Sequence, residues 1–322
     1  MLYLNQNDIQ TIGVDWRTLI NIIVDASATL VSQDFAQPIK QYLRYNDLTN
    51  RIIAMPAYVG GNVNMTGIKW IASFPSNLQK NLKRAHSVTV LNNSETGEPV
   101  CFLNASMISS IRTAAVSGAI IDKYLERKNG KSDYSIGITG FGPIGQLHLD
   151  MIMSLLDDRI SKVKIFDLTK IDPSTSSYFE DSRIEICNTW EESYDQADIF
   201  ITCTVSKNRY INRKPKEGSL HLNVSLRDYF PEISENVDQM VVDDWDEVCR
   251  ENTDISVMHD QMGLRKEDTL SIEEVLCKDV LKEMKDSDVV MFNPMGMAVF
   301  DIATAQYYFD RARQTSVGTI LE

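Results

Sequence analysis

The chain has 322 residues, 43% of them hydrophobic and 24% charged, which is the balance of a globular protein with room for two domains. Its net charge of −13 excludes the broad basic face that nucleic acid or an anionic membrane surface would need. No run of 18 apolar residues is present, and Met1-Leu-Tyr-Leu lacks a charged leader, so neither a membrane span nor a signal peptide is expected.

In chain order, Asp15 is placed to cap an amphipathic helix, because Trp16, Leu19, Ile20, Ile23, Leu30 and Val31 recur at helical spacing. Residues 50 to 105 read as strands and turns. The strands are Arg51-Ile-Ile-Ala-Met-Pro, Gly67-Ile-Lys-Trp-Ile-Ala-Ser, Ser87-Val-Thr-Val-Leu-Asn and Glu98-Pro-Val-Cys-Phe-Leu. Glu95-Thr-Gly97 is a hairpin turn. A helix is predicted from Ser109 and Ser110 through Arg112 into an Ala/Val/Ile-rich run.

Tyr134-Ser-Ile-Gly-Ile-Thr-Gly-Phe-Gly-Pro-Ile-Gly145 then gives an apolar strand, a turn with three glycines, and the start of a helix. Each glycine has its own task in a dinucleotide-binding loop. Gly140 makes the tight turn, Gly142 admits a pyrophosphate, and Gly145 lets helix and strand pack closely. Lys162-Val-Lys-Ile-Phe-Asp167 is the next strand, and its terminal acid suits the ribose hydroxyls of NAD and repels the 2′-phosphate of NADP. Residues 197–205, 219–225, 239–243 and 288–293 read as further buried parallel strands. The charged stretch 249 to 287 reads as helical insertion. Residues 297 to 313 read as a helix, with no strand after it, that returns to the first domain.

The expected fold class is therefore α/β. A Rossmann dinucleotide-binding domain over 116–297, with a mostly parallel sheet, joins an α+β substrate-binding and dimerisation domain over 1–115 with 298–322. The first sheet should be mostly antiparallel, with an exposed face open to a second copy, so a homodimer is expected. Cys101, Cys187, Cys203, Cys249 and Cys277 are odd in number and scattered, which suits buried free thiols in a reducing cytoplasm. His86, His148, His221 and His259 do not cluster, so no metal site is expected.

Three cations stand out in the first domain. Arg51 opens an apolar strand, Lys69 sits between Ile68 and Trp70, and Arg112 lies in an apolar helix. Isolated cations among apolar residues are costly unless an anion meets them. Arginines can grip a carboxylate, and a desolvated lysine can move protons near neutrality. Each is equally readable, taken alone, as a surface residue or a structural ion pair. Arg84 is a candidate for a second carboxylate; neighbouring His86 reads as exposed loop. Asp228 follows a strand end, where ligands gather in open α/β sheets, and serves either to activate water or to cap a turn. Candidate cofactor contacts are Gly140, Phe141, Gly142, Pro143, Ile144, Gly145, Asp167, Thr202, Thr204, Ser225, Met295 and Gly296. Met295 and neighbours would close over a nicotinamide or fill the core.

Together these residues resemble the ornithine cyclodeaminase/mu-crystallin family over nearly the whole chain. The landmarks are Arg51 with Met55-Pro56, Gly67-Ile-Lys69, Pro75-Ser-Asn77, Thr96-Gly97, Arg112-Thr-Ala-Ala115 and the Gly140–Gly145 loop. Asn223 to Asp228 to Glu232, and Gly296-Met-Ala298 with Asp301, complete the set. The resemblance implies that Arg51, Lys69 and Arg112 bind a substrate carboxylate and polarise the reacting centre, and that Asp228 handles water or a second amine. Arg51-Ile-Ile-Ala-Met-Pro, Val241-Val-Asp-Asp-Trp245 and Asn293-Pro-Met-Gly-Met-Ala look like the branch that makes 2,3-diaminopropionate for siderophores and antibiotics. That likeness implies NAD-dependent oxidative hydrolysis of a secondary amine, N-(2-amino-2-carboxyethyl)-L-glutamate. The products would be 2,3-diaminopropionate, 2-oxoglutarate and NADH. Alternatives on the same scaffold are ornithine cyclodeamination, an amino-acid dehydrogenase or imine reductase, and a non-catalytic dinucleotide-binding protein.

Overall fold

The computed structural model describes residues 1–128 and 130–322. The chain divides into two compact units, Met1–Val116 with Met297–Glu322, and Ser117–Gly296.

The first unit opens with β1 (Leu2–Leu4), α1 (Gln6–Ile12) and α2 (Trp16–Ser32). Asp15 does cap α2, accepting the Thr18 N–H at 3.1 Å. Then come β2 (Phe35–Ala36), β3 (Gln41–Leu43), β4 (Arg51–Val59), β5 (Met65–Ser73), β6 (Ala85–Asn93) and β7 (Pro99–Asn104). Helix α3 (Ser106–Arg127) starts three residues before the expected Ser109, so Arg112 lies in its second turn. The returning C-terminal segment forms α9 (Ala298–Thr315) and a short strand, β16 (Thr319–Ile320), where none was expected. β16 pairs with β1, which satisfies backbone groups at the sheet edge.

The sheet runs β16-β1-β7-β6-β5-β4-β2, with β3 also on β4. All pairings are antiparallel except β1 with β7. Helix α9 packs on β4, β5 and β6. Gly67 in β5 permits that approach: a Cβ there would lie 2.9 Å from the Ile302 side chain and 2.4 Å from the Val90 carbonyl oxygen. Val299, Phe300, Ile302 and Ala303 are fully buried on α9. At about 1.5–3 kcal/mol for each large apolar side chain, that burial offsets the cost of carrying a charged residue, Asp301, into the same interface.

The second unit holds β8 (Tyr134–Thr139), α4 (Pro143–Leu156), β9 (Ile160–Phe166), β10 (Ile184–Ile186), α5 (Trp190–Tyr194), β11 (Ile199–Thr202) and β12 (Leu220–Asn223). It continues with β13 (Gln239–Val242), α6 (Trp245–Val248), α7 (Asp254–Met262), β14 (Thr269–Ser271), α8 (Ile272–Lys278) and β15 (Val290–Asn293). All strands are parallel, in the order β10-β9-β8-β11-β12-β15-β13-β14. The central strands are buried on both faces, which is why they read as continuous apolar runs. Chain direction across the sheet reverses between β8 and β11, the switch point where such sheets bind ligands. The stretch 249 to 287 is not wholly helical: β14 adds an edge strand to β13.

Cys101 and Cys187 are buried free thiols, whereas Cys277 is exposed, so burial does not extend to all five. His86 is exposed, as expected, yet lies in strand β6 and not in a loop. Among the described residues no helix is long and apolar enough to cross a membrane.

Candidate active site

In the first unit, strand β5 presents Lys69 to the face covered by α9. Its ammonium, 2% exposed, donates to Ser109 Oγ on α3 at 2.7 Å and to Asp301 Oδ1 on α9 at 2.9 Å. Arg112 Nε donates to the same Oδ1 at 2.8 Å. The two cations thus share one buried carboxylate oxygen. Asp301 Oδ2 is buried with no hydrogen-bond partner among the described residues, so one acceptor is left over beside the two cations.

Burial pushes the Lys69 ammonium down to about 8; Asp301 opposes this, while Arg112 and Lys40 push further down. A lysine so poised exchanges protons near neutrality, and the charges around it decide its state. For Asp301, burial works against ionisation, but Arg112 and Lys69 outweigh it and hold the carboxyl below the usual range.

Arg51 and Arg84 stand apart from this trio. Arg51 begins β4, opposite Ser73, with its guanidinium over the Tyr42 ring at 5.7 Å. Arg84 is half-buried and donates to Ser73 Oγ at 3.3 Å. Burial, then the nearby Arg51 charge, lowers the proton affinity of Arg84.

In the second unit, the glycine turn has the expected form. Gly140 has φ +91°, and a Cβ there would meet the Cys203–Thr204 backbone at 2.6–2.8 Å. A Cβ on Gly145 would lie 2.1 Å from the Gly140 carbonyl oxygen, whereas one on Gly142 would meet nothing within 4 Å. Gly142 is the N-cap of α4, Pro143 occupies its first turn, and no side chain caps the helix. The first N–H groups of α4 are therefore donors facing an open approach, which fits a pyrophosphate. Phe141 is buried, and the Ile144 carbonyl bonds His148 Nδ1 at 2.8 Å.

Asp167, just beyond β9, accepts the Phe141 N–H at 2.6 Å and the Thr169 N–H at 2.7 Å. It thereby braces the glycine turn. Its two oxygens still have lone pairs for hydroxyl donors.

Asp228 is fully buried. Thr204 Oγ1 donates to it at 2.5 Å, and the Ser225 hydroxyl donates to its other oxygen. Thr202 Oγ1 lies 2.7 Å from Ser225 Oγ and donates to Asn223. Burial raises the Asp228 pKa, and the hydroxyl donors only partly offset this. Thr202, Thr204 and Ser225 are thus bound into one polar group around Asp228. Met295 and Gly296 are held by Asp243, which accepts their N–H groups at 2.9 and 2.6 Å.

The family model for "Ornithine cyclodeaminase/mu-crystallin family" matches residues 12–316. The chain belongs to that family. A family relative, the N-((2S)-2-amino-2-carboxyethyl)-L-glutamate dehydrogenase of Staphylococcus aureus, is 33% identical, covering 100% of this chain and 98% of the relative. An alanine dehydrogenase of Archaeoglobus fulgidus is 28% identical over 99% of this chain and 97% of its own. Among solved structures, an archaeal alanine dehydrogenase dimer with bound NAD has a TM-score of 0.84 at 25% identity, covering 100% of this chain and 99% of its own. The Thermococcus litoralis Δ1-pyrroline-2-carboxylate reductase, in complex with NADH and L-proline, has the same fold. Its TM-score is 0.87 at 22% identity, with full coverage of both chains.

Two acids of this family member are not singled out as site residues by the sequence alone. Asp301, a family landmark in the sequence, is the counter-ion of both Lys69 and Arg112. Asp254, at the start of α7, accepts N–H groups of Asp228 (3.0 Å), Tyr229 (3.1 Å) and the Asn223 amide (3.0 Å), and pairs with Arg209 at 2.7 Å. It anchors the Asp228 loop, in which Leu226 takes φ +63°, a left-handed conformation costly for a bulky residue. A lone acid inside an apolar or capping context was the only sequence signal for either residue.

Proposed function

We propose that this family member is an NAD-dependent oxidoreductase acting on the C–N bond of an amino acid-derived secondary amine, N-(2-amino-2-carboxyethyl)-L-glutamate. The observation that carries the reading is the buried Lys69–Asp301–Arg112 group, a charged cluster with a poised lysine, in a chain with a full-length relative named for that reaction. The open face of Gly142, the uncapped α4 and Asp167 would hold the dinucleotide.

Bound there, the nicotinamide supplies a hydride acceptor for the glutamate α-carbon. Lys69 takes the amine proton, so that the lone pair on nitrogen forms the C=N bond of the imine. Arg112 holds the carboxylate beside that carbon, and Arg51 and Arg84, which stand apart from it, hold a second one. Asp228, with its raised proton affinity, takes a proton from water as its oxygen adds to the imine carbon. The carbinolamine then loses its C–N bond. The carbonyl goes to 2-oxoglutarate, and the nitrogen leaves protonated as the amine of 2,3-diaminopropionate. Overall, one amine, one water and NAD⁺ give one keto acid, one primary amine, NADH and a proton.

The test is a panel of amines offered with NAD⁺, comprising this adduct, ornithine, alanine and proline, with NADH absorbance and mass spectrometry of products. The adduct should be turned over with NADH accumulating. Turnover of ornithine to proline and ammonia, or of alanine alone, would replace this reading with the cyclodeaminase or the simple dehydrogenase.

A further inference from the structure

Lys69 must give up the proton it takes before it can act again, and burial closes most ways out. Its ammonium has three N–H bonds. Among the described residues two of them are engaged, by Ser109 Oγ at 2.7 Å and by Asp301 Oδ1 at 2.9 Å, which leaves one for the substrate. Lys69 is 2% exposed, so a seated substrate closes its remaining opening. Arg112 has no lone pair to accept a proton. Asp301 is also 2% exposed, and Arg112 and Lys69 hold its carboxyl below the usual range, which makes it a poor base. Ser109, by contrast, is only half-buried, and so connects the ammonium to the solvent side of α3.

The hydrogen bonds along α3 set Ser109 apart from its neighbours. Within a helix a serine or threonine hydroxyl either bonds the carbonyl four residues back or points to solvent. Ser110 bonds back to the Ser106 carbonyl at 3.3 Å, and Thr113 to the Ser109 carbonyl at 2.8 Å. Ser109 does not. Its oxygen accepts from Lys69, and among the described residues nothing accepts its O–H. An oxygen that turns a lone pair to the ammonium directs its own hydrogen elsewhere, so this O–H points away from Lys69. The backbone holds it there: the Ser109 N–H donates to the Ala105 carbonyl at 2.8 Å, and Ile108 and Ile111 on either side are buried. Ser109 and Arg112, three residues apart, share one face of the helix, which is why both meet the same charged group. Nζ–H to Oγ, then Oγ–H outward, is a two-member hydrogen-bonded path.

We propose that Ser109 acts through Lys69 as a proton relay, carrying the proton that the lysine takes from the substrate out to solvent. The inference rests on the oxidoreductase reading above, in which Lys69 accepts the amine proton and the overall reaction releases one. In the step, a lone pair on Ser109 Oγ takes a proton from Nζ as the Oγ–H bond breaks toward a solvent water. Lys69 ends neutral, Ser109 is unchanged, the water carries the proton away, and nothing is oxidised or reduced.

Hydrogen exchange of the Lys69 ammonium, followed by NMR on the full-length protein carrying isotope-labelled lysine at mildly acidic pH, tests the path without any substrate. The Lys69 signal is the one missing from Lys69→Arg. Ser109→Ala should slow its exchange about 100-fold, the lower end of what a positioned proton-transfer group contributes, and Ser109→Thr, which keeps the hydroxyl, should restore most of the rate. Exchange in Ser109→Ala that is unchanged or faster, or Ser109→Thr as slow as Ser109→Ala, would overturn the proposal. In turnover of the amine adduct at alkaline pH, where Lys69 starts neutral, Ser109→Ala should form its first NADH at the wild-type rate and then lose steady-state rate, because only the resetting of Lys69 is slowed. A first turnover slowed as much as the steady state is the mark of structural damage and counts against the relay. If no amine is oxidised, it is the substrate reading that fails, and the exchange rates by themselves decide for or against Ser109.

Discussion

Lys69 is held between opposing forces. Burial, Arg112 and Lys40 drive its proton off, while Asp301 retains it, and the balance falls at about 8. If Lys69 accepts the substrate proton, only its neutral form is competent, so the sign is fixed. With saturating NAD⁺, kcat/KM should climb as pH rises toward about 8 and level off above it. Lys69→Ala should abolish that climb and cost turnover by orders of magnitude, while NAD⁺ binding persists. A profile flat across neutral and mildly alkaline pH in the wild-type protein would remove Lys69 from the chemistry. The cations themselves were visible in the sequence because charge inside an apolar run is conspicuous. Their counter-ion was not, because Asp301 is 232 residues from Lys69 and only the packing of α9 brings them together.

At the level of elements, the site depends on how closely α9 lies on β5. Gly67 sets that distance. Gly67→Ala must push against Ile302, which neighbours Asp301, and against the rigid Val90 carbonyl. The substitution should cost about 1–3 kcal/mol of stability, seen as a lowered melting temperature, and should depress turnover through displaced Asp301. An unchanged melting temperature would show that α9 shifts freely. The long elements were legible because their signals are local: the Asp15 cap, the glycines at 140, 142 and 145, the apolar runs at β8 and β11. Short strands such as β10 and β14 carry three residues each, too few for a pattern, and exist because a longer neighbour supplies their hydrogen bonds.

At the scale of the whole molecule, the fold class was readable because alternating strands and helices after residue 134 leave little choice but a parallel sheet. The reaction was less so, because one family scaffold carries relatives named as dehydrogenases and as reductases. What separates oxidative hydrolysis from cyclodeamination is net redox change, and the most direct measurement is stoichiometric. N-(2-amino-2-carboxyethyl)-L-glutamate is incubated with the protein and excess NAD⁺, and NADH, 2-oxoglutarate and 2,3-diaminopropionate are counted against substrate consumed. The account predicts one of each per amine lost. Amine consumption without accumulated NADH, or no consumption while another amine in the panel is oxidised, would contradict it.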